Sequence, residues 1–479
     1  MSPPKRISVA HLSITPLLKK LVGHHAVDPK EIKAALLLLD NGNISDTQVS
    51  LLLGLLTLRQ YELSVQECNR FLHFLEEDQP STQAAGKQSI VTTIRLFLNG
   101  GEIPPDEIAD VITLALEDRL SAVHCSLLLG FMAYTGLDKD PEVLSKAAGR
   151  MRAAANRADH EALRKAIQNA NRSRGLYQGG LCDIVGTGGD GHSTYNVSTT
   201  ASIIASSYLM LSKHGNRASS STSGSADLLQ AVWPKGPDIE AVTSHNLPAI
   251  YERSSYAFLF APRFHPGMKH VAALRKELGI RTIFNVLGPL VNPVEDLIET
   301  RIVGVAEKRM GPVFAEALRL TGAKKAMVVC GAENLDEISC AGRTYCWRLY
   351  DEDNTVRIDE FQLEPQDFGL PSHSLTEVAG GRSPQENASI LVDMLENRLD
   401  KDDPVLHFVL INAAALFAIA GLCERNPAST EREPEMIVER GPGGQRWKEG
   451  IRLARKALKE GKALESLQNY IAATRSCND

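Results

Sequence analysis

From Leu181 onward the chain alternates short apolar segments, glycine-bearing turns and helical patterns, and that alternation is the tightest constraint on its fold. "LCDIV", "YLMLSKHG", "AFLFAP", "TRIVGVA" and "KAMVVCG" read as strands, while "TTASIIAS", "SADLLQAV" and "GPVFAEALRLTG" carry helical periodicity. Strands that return to a sheet through helices run parallel and are covered on both faces, so a large α/β domain is expected. After Arg343, "TYCWRLYDEDNTVRIDEFQL" reads as two strands about a polar turn. The longest apolar run, Val405 to Leu422, approaches the length of a membrane span. His407 and Asn412 interrupt it, so it is expected to be a helix buried in the α/β domain.

The first 150 residues read as helices and contain a repeat. "DPKEIKAALLLLDNGNISDTQVSLLLGLL" from Asp28 lies against "PPDEIADVITLALEDRLSAVHCSLLLGFM" from Pro104 at a constant offset of 76. Each copy has a proline in its first helical turn, acids just after it, and one apolar face: Ile32, Ala35, Leu36 and Leu39, or Ile108, Val111, Ile112 and Ala115. Ser45 with Gln48 has the form of a capping box. The expected organisation is a first helical repeat over 1–78, a linker over 79–90, a second helical repeat over 91–175, and the α/β domain over 176–479 with a charged, Pro- and Gly-rich mobile loop near 424–445. The fold class is thus α/β with a small all-helical N-terminal domain, here carrying a duplicated helical hairpin.

Net charge narrows the partners. At −6 over 479 residues, there is no electrostatic ground for a nucleic acid or an anionic membrane as partner. The eight cysteines are scattered without a C-x-x-C pair, so neither a disulfide framework nor a zinc module is expected. The N-terminal stretch has no apolar core of signal-peptide length, and a cytoplasmic protein is expected.

Chemistry concentrates at the ends of the strands. "DIVGTGGDGHST", Asp183 to Thr194, places Gly186, Thr187, Gly188, Gly189 and Asp190 after a strand, and Ser198, Thr199 and Thr200 then open an apolar helix. Glycines admit close backbone approach, and a helix start offers unpaired N–H groups to an anion, so a phosphate is the expected guest. No lysine follows the loop, which excludes the common nucleotide-binding P-loop. "KHGNRASSSTSGSADLL" is a second such exit, with Lys213 and Arg217 as fixed positive charges and hydroxyls from Ser219 through Ser225. Two anion-binding turns suggest a ligand with two phosphate ends. Asp336 and Glu337 in "NLDEIS" would then serve a divalent cation bound jointly with those phosphates. In "RFHPGMKHVAALRKELGIRTIFNVLGPLVNP", Arg275 suits a carboxylate-bearing second substrate and His265 a helix-start or pocket position.

Taken in order, "DIVGTGGDGHSTYNVST", "KHGNRASSSTSGSAD", the Arg263–Pro293 stretch and "LDEIS" resemble the motifs of the anthranilate phosphoribosyltransferase family. The resemblance implies a Mg²⁺-dependent homodimer through its helical domain that moves phosphoribose from phosphoribosyl pyrophosphate (PRPP) to anthranilate in tryptophan biosynthesis. It assigns PRPP to Gly186, Thr187, Gly188, Gly189, Asp190, Thr194, Asn196, Val197, Ser198 and Thr199. It adds the second turn: Lys213, His214, Gly215, Asn216, Arg217, Ala218, Ser219, Ser220, Ser221 and Ser225. Anthranilate falls to Gly186, Asn216, His265 and Arg275, and two Mg²⁺ ions to Ser198 and to Asp336 with Glu337. Tyr195 departs from the family's usual Phe, and the duplication of the helical hairpin departs from its one small helical domain.

Overall fold

In the computed structural model, which describes residues 13–39, 44–76, 84–218, 223–381, 383–425 and 435–477, the chain divides into two units. One contains residues 1–154 with 267–286, the other 155–266 with 287–479.

The first unit is helical: α1 (Thr15–Val22), α2 (Pro29–Leu39), α3 (Asp46–Leu58), α4 (Val65–Glu76), α5 (Ala84–Leu98), α6 (Pro105–Leu116), α7 (Ala122–Thr135) and α8 (Pro141–Ala153). The offset of 76 carries the starts of α2, α3 and α4 onto those of α6, α7 and α8, so the repeat reaches beyond a hairpin. The caps repeat as well. Ser45 and Ser121 accept from the backbone N–H of Gln48 and His124 at 3.3 and 3.2 Å. Only half of the Ser45 box forms, because the Gln48 side chain donates instead to the Glu277 carbonyl. Helices α3 and α7 are apolar on all sides and form the centre of this unit.

Three expected boundaries change. Residues 84–90 of the expected linker are the first turns of α5, where the run Ala84–Leu98 has no helix breaker but one glycine; residues 77–83 lie outside the described residues. Residues 155–175 belong with the α/β unit, and both repeats share one unit. Residues 267–286 leave the α/β unit for the helical one, because the helix Met268–Leu278 docks there. Glu277 accepts from the hydroxyls of Ser45 and Thr47, and a Cβ on Gly267 would stand 2.7 Å from the Leu116 carbonyl oxygen. Contacts across more than 150 positions of sequence leave no local signal.

The second unit holds α9 (His160–Asn169), α10 (Val197–Ala205), α11 (Ser225–Gln230) and a seven-stranded sheet. Its strands are β1 (Leu181–Gly186), β2 (Met210–Gly215), β3 (Tyr256–Phe260), β4 (Ile298–Gly304), β5 (Ala326–Gly331), β6 (Thr344–Glu352) and β7 (Thr355–Leu363), in the order 3-2-1-4-5-6-7. The first five are parallel; β6 and β7 are antiparallel and turn through Asp353 and Asn354, both with positive φ. The apolar run forms the helix Pro404–Ala420, buried from Leu406 onward, as expected. Its Asn412 donates to the Ile338 and Phe408 carbonyls and accepts from the Ile338 N–H, and its His407 meets His373 at 2.9 Å. Among the described residues no helix is long and apolar enough to cross a membrane. All eight cysteines are free. Of the loop at 424–445, residues 426–434 lie outside the described residues, and Arg440 is paired to Glu424 at 2.8 Å.

Candidate functional site

From β1 the chain winds outward to β2 and β3, then crosses back to β4 on the other side. A doubly wound sheet opens a crevice at such a switch point, at the carboxyl ends of its strands. Gly186 and Gly304 face each other there as the last register pair of β1 and β4. The loop after β5 enters above them. A Cβ on Gly186 would lie 2.3 Å from the Asp336 carboxylate, and one on Gly304 would lie 1.6 Å from the Asp336 carbonyl oxygen. Both glycines thus make room for Asp336 within the protein itself. The others in the loop have a different reason: Gly188, Gly189 and Gly191 have φ of 67°, 76° and 80°, and nothing stands within 4 Å of a Cβ on Gly188 or Gly191.

The loop is tied down on all sides. The Gly188 N–H donates to Asp336 at 2.6 Å and the Thr187 N–H to the Gly304 carbonyl at 2.9 Å. Asp190 accepts from the His192 N–H, while the His192 ring reaches the Glu333 carbonyl at 2.9 Å. Thr194 bridges to Ala379, and Asn196 is held between the Ser223 carbonyl and the Asn387 amide. Tyr195 is buried, its hydroxyl accepting from Thr200 and donating to the Asn387 carbonyl, so its extra oxygen anchors the loop.

The second turn joins the first through Thr199, which donates to Ser225 at 2.8 Å. Asp227 pins both ends of this turn, accepting from the N–H groups of Ala218 and Gly224. Ser219, Ser220 and Ser221 lie outside the described residues. Arg217 differs from its expected role as a fixed positive charge. Its guanidinium pairs with Asp227 and Glu240, and it stacks on Phe260. The acids on α11 and beyond it claim a charge that the sequence leaves open.

Lys213 is fully enclosed in β2, 2% exposed, and donates to the Ile184 carbonyl at 2.6 Å and to Ser198 at 3.3 Å. Burial lowers its pKa, while Asp183, Glu337 and Asp336 work to raise it. Burial, reinforced by the charge of Asp190, pushes the Asp336 carboxyl up to about 7. Glu337 is raised still more strongly by burial and by Asp336, against Lys213 and the Ser198 N–H, which favour its ionised form. Three acids crowded around one buried lysine concentrate negative potential. That is the electrostatics of a site for a hard cation. Among the described residues no group of three or more His, Cys, Asp or Glu is placed to hold a metal ion by itself.

His214 and His265 meet edge to face at 5.2 Å, and the His265 ring reaches the Val291 carbonyl at 2.9 Å. Burial, then His265, pushes His214 down to about 3, so it is neutral. Asn216 accepts from the Arg217 N–H. In the helical unit Arg275 lies half-buried with its guanidinium 5.9 Å from the Phe284 ring, and its Nε has no partner among the described residues. Sequence reasoning missed the supports: Gly304, His192, Asn387, Asn412 and Asn292. The buried Asn292 donates to Asp183 at 3.0 Å and to the Ser212 carbonyl at 2.9 Å. Asn292→Ala strips Asp183 of the side-chain amide that donates to it, and thermal denaturation is expected to show a loss of about 1–3 kcal/mol.

The family described as glycosyl transferase family, a/b domain, matches residues 178–464. An anthranilate phosphoribosyltransferase of Schizosaccharomyces pombe is 43% identical over 289 residues, covering 60% of this chain and 73% of the relative. The chain belongs to the anthranilate phosphoribosyltransferase family. The Saccharomyces cerevisiae member is 38% identical over 302 residues, covering 62% of this chain and 73% of the relative. The solved structure of that yeast enzyme with PRPP and Mg superposes with a TM-score of 0.67 at 32% identity, covering 81% of this chain and 98% of the yeast chain. The α/β unit with its crevice is therefore the family's domain.

Proposed function

We infer that the chain transfers the phosphoribosyl group of PRPP to the amine of anthranilate, giving N-(5-phosphoribosyl)anthranilate and pyrophosphate, the family's step in tryptophan biosynthesis. The observation that carries this is the meeting of the glycine loop, Lys213 and the Asp336–Glu337 loop at the switch point of the sheet. The yeast relative's structure with PRPP and Mg supports it.

The N–H groups of the glycine loop and the start of α10 hold the pyrophosphate, with Asn196, Thr199, Ser225 and the pinned turn after β2 around it. Ser198 holds one Mg²⁺, and Asp336 with Glu337 a second. Bound there, Mg²⁺ neutralises charge that gathers on the departing pyrophosphate. Lys213 supplies a fixed positive charge that costs no reorganisation as that charge develops. The anthranilate amine is uncharged in water and needs no base before attack; the proton it sheds once the C–N bond has formed and the C–O bond to pyrophosphate has broken passes to the departing pyrophosphate or to solvent. Asn216 and His265 line the acceptor's place. The cytosol is the proposed compartment.

Asp336 also sets a pH dependence. Its folded pKa of about 7 stands above the ordinary 3.8, so between those values the folded chain keeps a proton that the unfolded chain releases. Stability from this group is present at low pH and is lost as pH rises through about 7. Mg²⁺ takes the proton's place, so it should raise Tm more near pH ~8 than near pH ~6 and should release protons on binding. Equilibrium dialysis with PRPP tests the reading: two Mg²⁺ retained per chain are expected, and PRPP binding unaffected by chelation contradicts it.

A further inference from the structure

Helices α3 and α7 carry the same stretch, Ser50–Gly54 and Ser126–Gly130, and they meet at those very positions. Ser50 Oγ lies 3.2 Å from Ser126 Oγ. A Cβ on Gly54 would stand 2.8 Å from Leu127 Cδ2, and one on Gly130 would stand 2.1 Å from Leu51 Cδ1. At the offset of 76 Gly130 is the counterpart of Gly54, and Leu127 of Leu51. Residue i of one copy therefore touches j of the other, and j touches i. Such reciprocity is the signature of a two-fold interface. The flanking helices obey it too: α1 packs on both α3 and α7, and α5 on both α7 and α3.

An interface of that kind ordinarily relates two separate subunits. Here one chain supplies both halves, and the seam is dry: Leu51, Leu52 and Leu55 on one side, and Leu127, Leu128 and Phe131 on the other, are fully buried. The small residues decide how closely the helices approach, since glycine and serine let the two backbones come near without a side chain between them. About a fifth of this chain has no counterpart in the yeast structure, which leaves room for an added copy.

We propose that the first helical copy occupies the place of a second subunit, so that the chain works as a monomer closed by an internal pseudo-dimer. The face of α7 that another chain would need is covered by α3 of the same chain. This differs from the homodimer that the resemblance implies, and it holds whatever the substrates of the α/β unit are. Leu37, Val65 and Leu72, exposed on α2 and α4, are the alternative apolar surface through which copies would meet.

Sedimentation equilibrium of the intact chain, with and without PRPP and Mg²⁺, tests the proposal. A single species of 52.2 kDa is expected at every concentration, with activity per milligram constant on dilution. A species of twice that mass overturns it, through whichever surface it forms. The Ser50→Cys/Ser126→Cys pair adds a second readout. On oxidation a 50–126 bond should close within one chain, leaving mass and transferase activity unchanged. A bond joining two chains overturns the proposal, and if the pair fails to fold, the mass of the unaltered chain still decides.

Discussion

Replacing Asp336 and Glu337 together by alanine is expected to lower kcat/KM at least ~10³-fold, about 4 kcal/mol of transition-state stabilisation. Both carboxyls are half-buried; Lys213 and the Ser198 N–H favour the ionised form of Glu337, and the Gly188 N–H that of Asp336. The expected stability change has the opposite sign to the usual core deletion. Crowded acids oppose one another in the metal-free site, so the variant's Tm without Mg²⁺ should match or exceed that of the parent. Mg²⁺ should then no longer raise it. Turnover that stays Mg²⁺-dependent and near the parent rate would show that the cation is held elsewhere.

Gly304→Ala is expected to act nearly as strongly, through the backbone of Asp336. The new Cβ would stand 1.6 Å from the Asp336 carbonyl oxygen, and backbone, unlike a side-chain tip, cannot swing aside. The loop after β5 must lift, at a cost of about 1–3 kcal/mol, as overpacked cores show. Misplacing the two acids by even an ångström should cost a further ~10²-fold in rate. Gly188→Ala is the comparison: its Cβ meets no protein atom, so besides the left-handed φ of 67°, at about 1 kcal/mol, it intrudes only on the PRPP that the loop holds. Crystal structures and rates of the two variants separate steric displacement of Asp336 from backbone strain in the loop.

The α/β unit is legible because its parallel strands are short apolar runs, four of the five ending in glycine. β1 through β5 fall on the five expected segments, and the hairpin turns at Asp353 and Asn354. The repeat is equally legible, since Ser50–Gly54 and Ser126–Gly130 are identical. What stayed hidden depends on contacts between distant residues. Glu277 draws residues 267–286 to the helices through Ser45 and Thr47, and nothing around Glu277 announces that. Arg217 looks free beside a serine-rich turn until Asp227 and Glu240 arrive in three dimensions. Asn412, an interruption in an apolar run, proves to hold Ile338 next to Glu337. The glycines divide by role: Gly186 gives way to the Asp336 carboxylate and Gly304 to the Asp336 backbone, while Gly188 and Gly191 meet no protein atom within 4 Å of a Cβ.

The most direct test is to mix the purified chain with anthranilate, PRPP and Mg²⁺ and to follow the fluorescence of anthranilate. Loss of signal that stops on chelation, and that Asp336→Ala/Glu337→Ala abolishes, is the result expected of a transferase whose cation site lies at the β1–β4 crevice. Anthranilate fluorescence that holds steady with folded, PRPP-binding protein would contradict anthranilate as the acceptor.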